Sequence, residues 1–136
     1  MAMDSKTDLE KAADQFFTAL NALFDGDPGP MTELWSHADD IVYMGPSGRT
    51  LIGWDAIRQD WEAQAAMRLG GEIHLTERHV TIGQDLAVAH HVAQATNRGQ
   101  DGNPTTFSDR GTNVFRKEDG RWRLIAHHSD PLTHVR

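Results

Sequence analysis

Two histidines and an acid close the run Trp122-Arg123-Leu124-Ile125-Ala126-His127-His128-Ser129-Asp130, which reads as the last strand of the chain. Imidazoles and carboxylates held side by side can pass a proton near neutral pH. Side chains alternate along a strand, so Trp122, Leu124, Ala126, His128 and Asp130 fall on one face. That face runs from apolar to polar, the gradient expected of a ligand-pocket floor. A second candidate strand carries His90 and His91, and there Ala87, Ala89, His91, Ala93 and Ala95 share a face. Four alanines leave volume above the sheet, with His91 as the polar group looking into it. Close packing of a helix over the same small residues is the competing reading.

His128 and His91 are thus the expected acid/base pair. Asp109 or Asp130 is expected to orient an imidazole and fix its tautomer. Asn113 and Tyr43, the only tyrosine, are expected as hydrogen-bond partners for a ligand, with Trp35, Trp61 and Phe115 as apolar walls. Ligand binding without turnover and structural hydrogen bonding are the alternatives for the histidines. His91, His128, Asp109 and Asp130 together would suit zinc or iron, but they follow no established ligand spacing, and no metal or other cofactor is expected. Glycine-rich phosphate loops, dinucleotide fingerprints and Ser-His-Asp signatures are not apparent.

The elements that position these groups are legible from periodicity. Thr7-Asp8-Leu9-Glu10 reads as a capping box, and Leu9, Ala12, Ala13, Phe16, Phe17, Leu20, Leu23 and Phe24 follow at helical spacing. The Asp25–Pro30 run stops this helix, and a helical turn over 31–35 follows. Residues 41–44 read as a strand broken by Pro46-Ser47-Gly48. A second long helix spans about 54–69, with Ile57, Trp61 and Ala65 stacked on one side, and Gly70-Gly71 ends it. From Glu72 the period becomes two, with candidate strands over 72–82, 86–96, 105–116 and 121–129. Residues 99–104 read as a mobile loop. Helices first and a strand meander afterwards predict an α+β domain over 1–136, with its core at about 7–132.

Asp119-Gly120 predicts a two-residue hairpin turn. Counting outward from it pairs Phe115 with Leu124, Asn113 with Ala126 and Gly111 with His128. One face then holds Phe107, Asp109, Asn113, Phe115, Trp122, Leu124, His128 and Asp130. The other holds Arg110, Thr112, Val114, Arg116, Arg123, Ile125, His127 and Ser129. A bulge would scramble this grouping. His74 and His79 fall on opposite faces of their strand by the same alternation. Val88, Val92, Val114 and Ile125 make the second face partly apolar. The two helices cover only one face, so a homodimer is expected through the other, with His90, His127, Arg116 and Arg123 near its rim.

Composition narrows the class. The 136-residue chain is long enough to bury a core unaided. It has no cysteine, which removes disulfides and thiolate chemistry and fits a reducing, cytoplasmic setting. A formal net charge of −7 disfavours nucleic acid as a partner. Residues 1–9 lack the apolar core of a signal peptide, and no apolar run is long enough to span a membrane.

These pieces in this order resemble the SnoaL-like branch of the nuclear transport factor 2-like superfamily. The resemblance covers roughly residues 9–132. It rests on Ala19-Leu20-Asn21-Ala22 before Asp25-Gly26-Asp27, Leu34-Trp35, Asp39-Asp40-Ile41-Val42-Tyr43 and Leu51-Ile52-Gly53-Trp54-Asp55-Ala56-Ile57. It continues through Gly83-Gln84-Asp85-Leu86-Ala87-Val88, Arg110-Gly111-Thr112-Asn113-Val114-Phe115-Arg116, Asp119-Gly120-Arg121-Trp122 and His127-His128. It implies a cone: N-terminal helices on a curved, mixed, mainly antiparallel sheet enclosing a pocket, often dimeric. It also places Phe16 at the pocket position where ketosteroid isomerases of this fold carry a tyrosine. The base position falls near Met44-Gly45, where no carboxylate stands, so isomerisation by that constellation is not expected. Where kinase association domains of this fold place pocket arginines and histidines, this chain has Ala93, Asn113 and Ala126, with His128 the one match. The expectation is therefore a small-molecule-binding protein. Its chemistry, if catalytic, would be cofactor-free isomerisation, cyclisation or dehydration, and the alternative is a non-catalytic homodimeric binding or association module.

Overall fold

The computed structural model describes residues 2–45, 48–98 and 102–131. The Pro46-Ser47 break, part of the loop before Pro104, and His134 lie outside them. Helix α1, Ala2–Phe24, begins earlier than the Thr7–Glu10 motif indicates, so that motif lies inside the helix and does not mark its start. Of the predicted stripe, Leu9, Ala12, Ala13, Phe16, Phe17 and Leu23 are buried and Leu20 and Phe24 partly buried, and Ala19 is buried as well. Helix α2, Gly29–Leu34, follows the Pro28 turn. Helix α3, Trp54–Met67, buries Ile57, Trp61 and Ala65 and ends at Arg68 in the left-handed region, ahead of Gly70 and Gly71.

Six strands form one sheet: β1 Val42–Met44, β2 Thr50–Ile52, β3 Glu72–Ile82, β4 Leu86–Asn97, β5 Thr105–Glu118 and β6 Arg121–Pro131. Their order is β2-β1-β6-β5-β4-β3. All neighbours are antiparallel except β1 and β6, which run parallel. Strand β2 was not anticipated: its three residues are too few to display a period, and it exists through its pairing with β1. The helices pack on one face, making an α+β fold with an open mixed sheet. Within the described residues no helix is long and apolar enough to cross a membrane.

The turn at Asp119-Gly120 forms as predicted, with both residues at positive φ (52° and 78°), the signature of a type I′ hairpin. From it the register runs Glu118↔Arg121 to Phe115↔Leu124, as counted from sequence. Then β6 carries one extra residue: Val114 pairs with Ala126, so Ile125 is bulged out. Beyond the bulge every side chain of β6 changes face. Asn113 pairs with His127, Thr112 with His128 and Arg110 with Asp130. Strand β3 has a second bulge at Thr76, between Leu75 and Glu77. His74 and His79 consequently share the outer face, opposite Gln94 and His90, rather than taking opposite faces.

Candidate functional site

The inner face of the sheet is laid out by β4, β5 and β6. The β4 alternation holds: Ala87, Ala89, His91, Ala93 and Ala95 are all buried there, beneath the helices. On β5 the inner residues are Asp109, Gly111, Asn113 and Phe115; on β6 they are Trp122, Leu124, His127 and Ser129. Tyr43 of β1 lies beside His127, its parallel partner.

The Ile125 bulge corrects several sequence expectations. His128 is exposed on the outer face, and so is Asp130, which is ion-paired to Arg110 at 3.1 Å. Neither looks toward the helices. His127, assigned to the outer rim, is instead an inner residue only 4% exposed, and Ser129 turns in with it. The histidine that joins His91 inside is therefore His127. No short-range signal reveals this, because a bulge is a property of the pairing between β5 and β6.

Aromatic rings enclose the two imidazoles. They lie nearly parallel with centroids 6.3 Å apart. Phe16 packs 4.8 Å from His127, and Phe17 meets His91 edge-on at 4.9 Å. Tyr43 is 5.7 Å from His127 and stacks on Trp61 at 4.6 Å, while Trp35 meets both Tyr43 and Trp61. Phe16 and Phe17 of α1 thus pack on the two imidazoles, and the four alanines of β4 are buried. Phe115 and Trp35 are fully buried core residues. Gly111 provides the seat of His91: a Cβ there would collide with Nε2 of that ring.

Polar contacts give the cluster its chemistry. Asn113 Oδ1 is hydrogen-bonded to Nδ1 of His127, both side chains being buried. An amide oxygen accepts only, so in this arrangement Nδ1 carries the proton and Nε2 keeps its lone pair. The Tyr43 hydroxyl accepts from Gln64 Nε2 at 3.0 Å, and Gln64 also donates to Asp60 at 2.7 Å. Gln64 was not singled out from sequence, although its spacing from Trp61 turns it to the same side of α3. The indole N–H groups of Trp35 and Trp61 are buried with no acceptor among the described residues.

Burial dominates the electrostatics. It lowers the His91 pKa to about 4, helped by the charges of Arg78 and His90, and that of His127 to about 3, helped by His91 and His128. Both rings are neutral at pH 7. Burial, followed by repulsion from Asp130, raises Asp109 to about 6, and burial lifts Tyr43 to about 12. Asp109 is half-buried on the inner face, one pleat beyond Gly111 and opposite Ala93. Of the four predicted acid/base residues, the inner face holds His91 and Asp109. Among the described residues no group of three or more His, Asp or Glu is arranged to hold a metal ion.

A helix layer on an open mixed sheet is the fold of solved structures described as nuclear transport factor 2-like. A Salmonella enterica protein of that superfamily superposes with a TM-score of 0.86 at 16% identity, over 100% of this chain and 96% of its own. A proposed dehydratase of the NTF2-like family from Streptomyces avermitilis gives 0.85 at 20% identity, over 96% and 99%. A proposed calcium/calmodulin-dependent kinase II association domain from Xanthomonas campestris gives 0.76 at 25% identity, over 92% and 88%. The model of the SnoaL-like domain matches residues 10–132, and the chain belongs to that family. Among curated proteins it is similar to the F-box protein SKIP8 of Arabidopsis thaliana, 27% identical over 118 residues. That match covers 87% of this chain, which spans about half (47%) of the relative's length.

Proposed function

We propose that the chain binds a small, partly apolar organic molecule against the inner cluster and that its chemistry, where it turns the ligand over, is cofactor-free proton transfer of the isomerase, cyclase or dehydratase type. The observation that carries this is His127: a neutral imidazole, its Nδ1 held by Asn113, whose Nε2 belongs to a cluster walled by Phe16, Tyr43 and His91. A general acid or base works best with a pKa near the working pH. His127 and His91 are too weakly basic at about 3 and 4, so their role is to hydrogen-bond the ligand. Asp109, near 6, is the group matched to moving the proton. The Streptomyces relative described as a proposed dehydratase fits this reading.

The test is quenching of tryptophan fluorescence by a panel of hydroxylated aromatic ketones, since Trp61 and Trp35 stand in the cluster. Asn113→Leu should weaken the best binder at least tenfold, and Asp109→Asn should abolish turnover while leaving binding. Equal affinity and rate in both variants would refute the assignment.

A homodimer through the outer face is the second reading, and one observation favours it. The register aligns Ile52, Val42, Ala126, Val114 and Val88 in a row across five strands, on the face no helix covers. Such a row is the kind of surface a second copy buries. A monomer by light scattering at every concentration would remove this reading.

A further inference from the structure

We propose that His79 and His90 form a two-imidazole site for a divalent transition metal on the outer face of the sheet, a site separate from the inner cluster and independent of the function proposed for it. The two residues are direct cross-strand partners of β3 and β4. Such partners share a face with Cβ atoms about 4.5–5.5 Å apart. That separation lets two imidazoles converge on one ion at roughly 2.0–2.1 Å from each nitrogen. The Thr76 bulge brings His79 onto this face. Both rings are exposed, and neither is hydrogen-bonded among the described residues. Both line a groove of about 380 Å³ that also contains Glu77, Arg110, Thr112 and His128.

The surroundings decide what kind of site this is. With two ligands from the chain, the ion keeps open positions for water or an external group. Imidazole donors select zinc, copper or nickel over magnesium or calcium. Glu77 is the nearest acid along β3, while the cation of Arg110 is paired with Asp130. His128 stands beyond Thr112, two strand spacings or about 10 Å from His90, too far to join the same ion.

Calorimetric titration of the chelator-stripped chain with Ni²⁺ and with Zn²⁺ at pH 7.5 tests the site. One equivalent should bind, with affinity lowered at least tenfold in His79→Gln and in His90→Gln and unchanged in His128→Gln. In a parallel experiment, Ni²⁺ should broaden the amide resonances of residues 79 and 90 before any others. All three rings are exposed, so the variants keep the fold. Absence of binding, or equal affinity in wild type, His79→Gln and His90→Gln, would overturn the proposal.

Discussion

The two faces of this sheet carry histidines in opposite states. On the inner face His91 and His127 are dry, neutral and packed against phenyl rings, with one ring nitrogen of His127 held by Asn113. On the outer face His74, His79, His90 and His128 are exposed to water. The residue type is the same, and the pleat alone separates them: His90 and His91 are chain neighbours on opposite sides, as are His127 and His128. Inside, desolvation suppresses the charge and makes imidazole a fixed hydrogen-bonding group. Outside, the rings lie exposed, open to an external partner.

The contrast is most severely tested by removing what keeps the inner face dry. Phe16→Ala deletes a fully buried ring in contact with both histidines and should cost about 3–5 kcal/mol in chemical denaturation. A cost near zero would mean that the inner cluster is already hydrated. Gly111→Ala comes next. The new methyl group must displace the His91 ring from its seat, and overpacking of this kind costs about 1–3 kcal/mol. A perturbed His91 ring resonance should accompany the loss.

The pH dependence has a definite sign. For His91 and His127 the folded pKa lies below the unfolded value near 6.5, so between those values the unfolded chain binds the extra proton. Stability should fall as pH drops below 6.5 and level off near pH 4 for His91 and pH 3 for His127. Each histidine contributes a slope of up to about 1.4 kcal/mol per pH unit. Asp109 acts in the other direction: its folded pKa of about 6 exceeds the ordinary 3.8, so the strain of its buried charge is relieved as pH falls from 6 toward 4. Urea unfolding from pH 4 to 7.5 should therefore show a shallower slope in His127→Gln than in wild type.

Val114→Asp places a charge in the middle of the outer apolar row and should convert a dimer to monomer in light scattering, with the fold retained. The smallest effect is expected from His128→Gln, an exposed change that should alter stability by no more than about 0.5 kcal/mol. A loss of several kcal/mol there would place His128 inside and reverse the face assignment.

Much of this architecture is written in local patterns. The α1 stripe from Leu9 to Leu23, the Ile57-Trp61-Ala65 ladder, the four-alanine face of β4 and the Asp119-Gly120 turn each follow from a repeat or a dihedral requirement within a few residues. The helix start was misread because Thr7 and Glu10 satisfy a capping pattern while lying inside a continuing helix. Strand β2 was too short to announce itself. The inner face was legible only in part: His91, Asn113, Asp109 and Tyr43 lie on it, while His128 and Asp130 were exchanged for His127 and Ser129 by a single bulged residue. Whether a helix packs closely over the alanines was left open by the sequence, since it depends on how the Phe16 and Phe17 rings settle on the sheet.

The chain alone determined which segments become helices and strands, where the hairpin turns and which side of β4 is small, because these are governed by periodicity and backbone geometry over short distances. Only the tertiary structure decided which histidine of β6 turns inward. Strand register comes from pairing with neighbours distant in sequence, and one unpaired residue, Ile125, exchanges the two faces for everything that follows it.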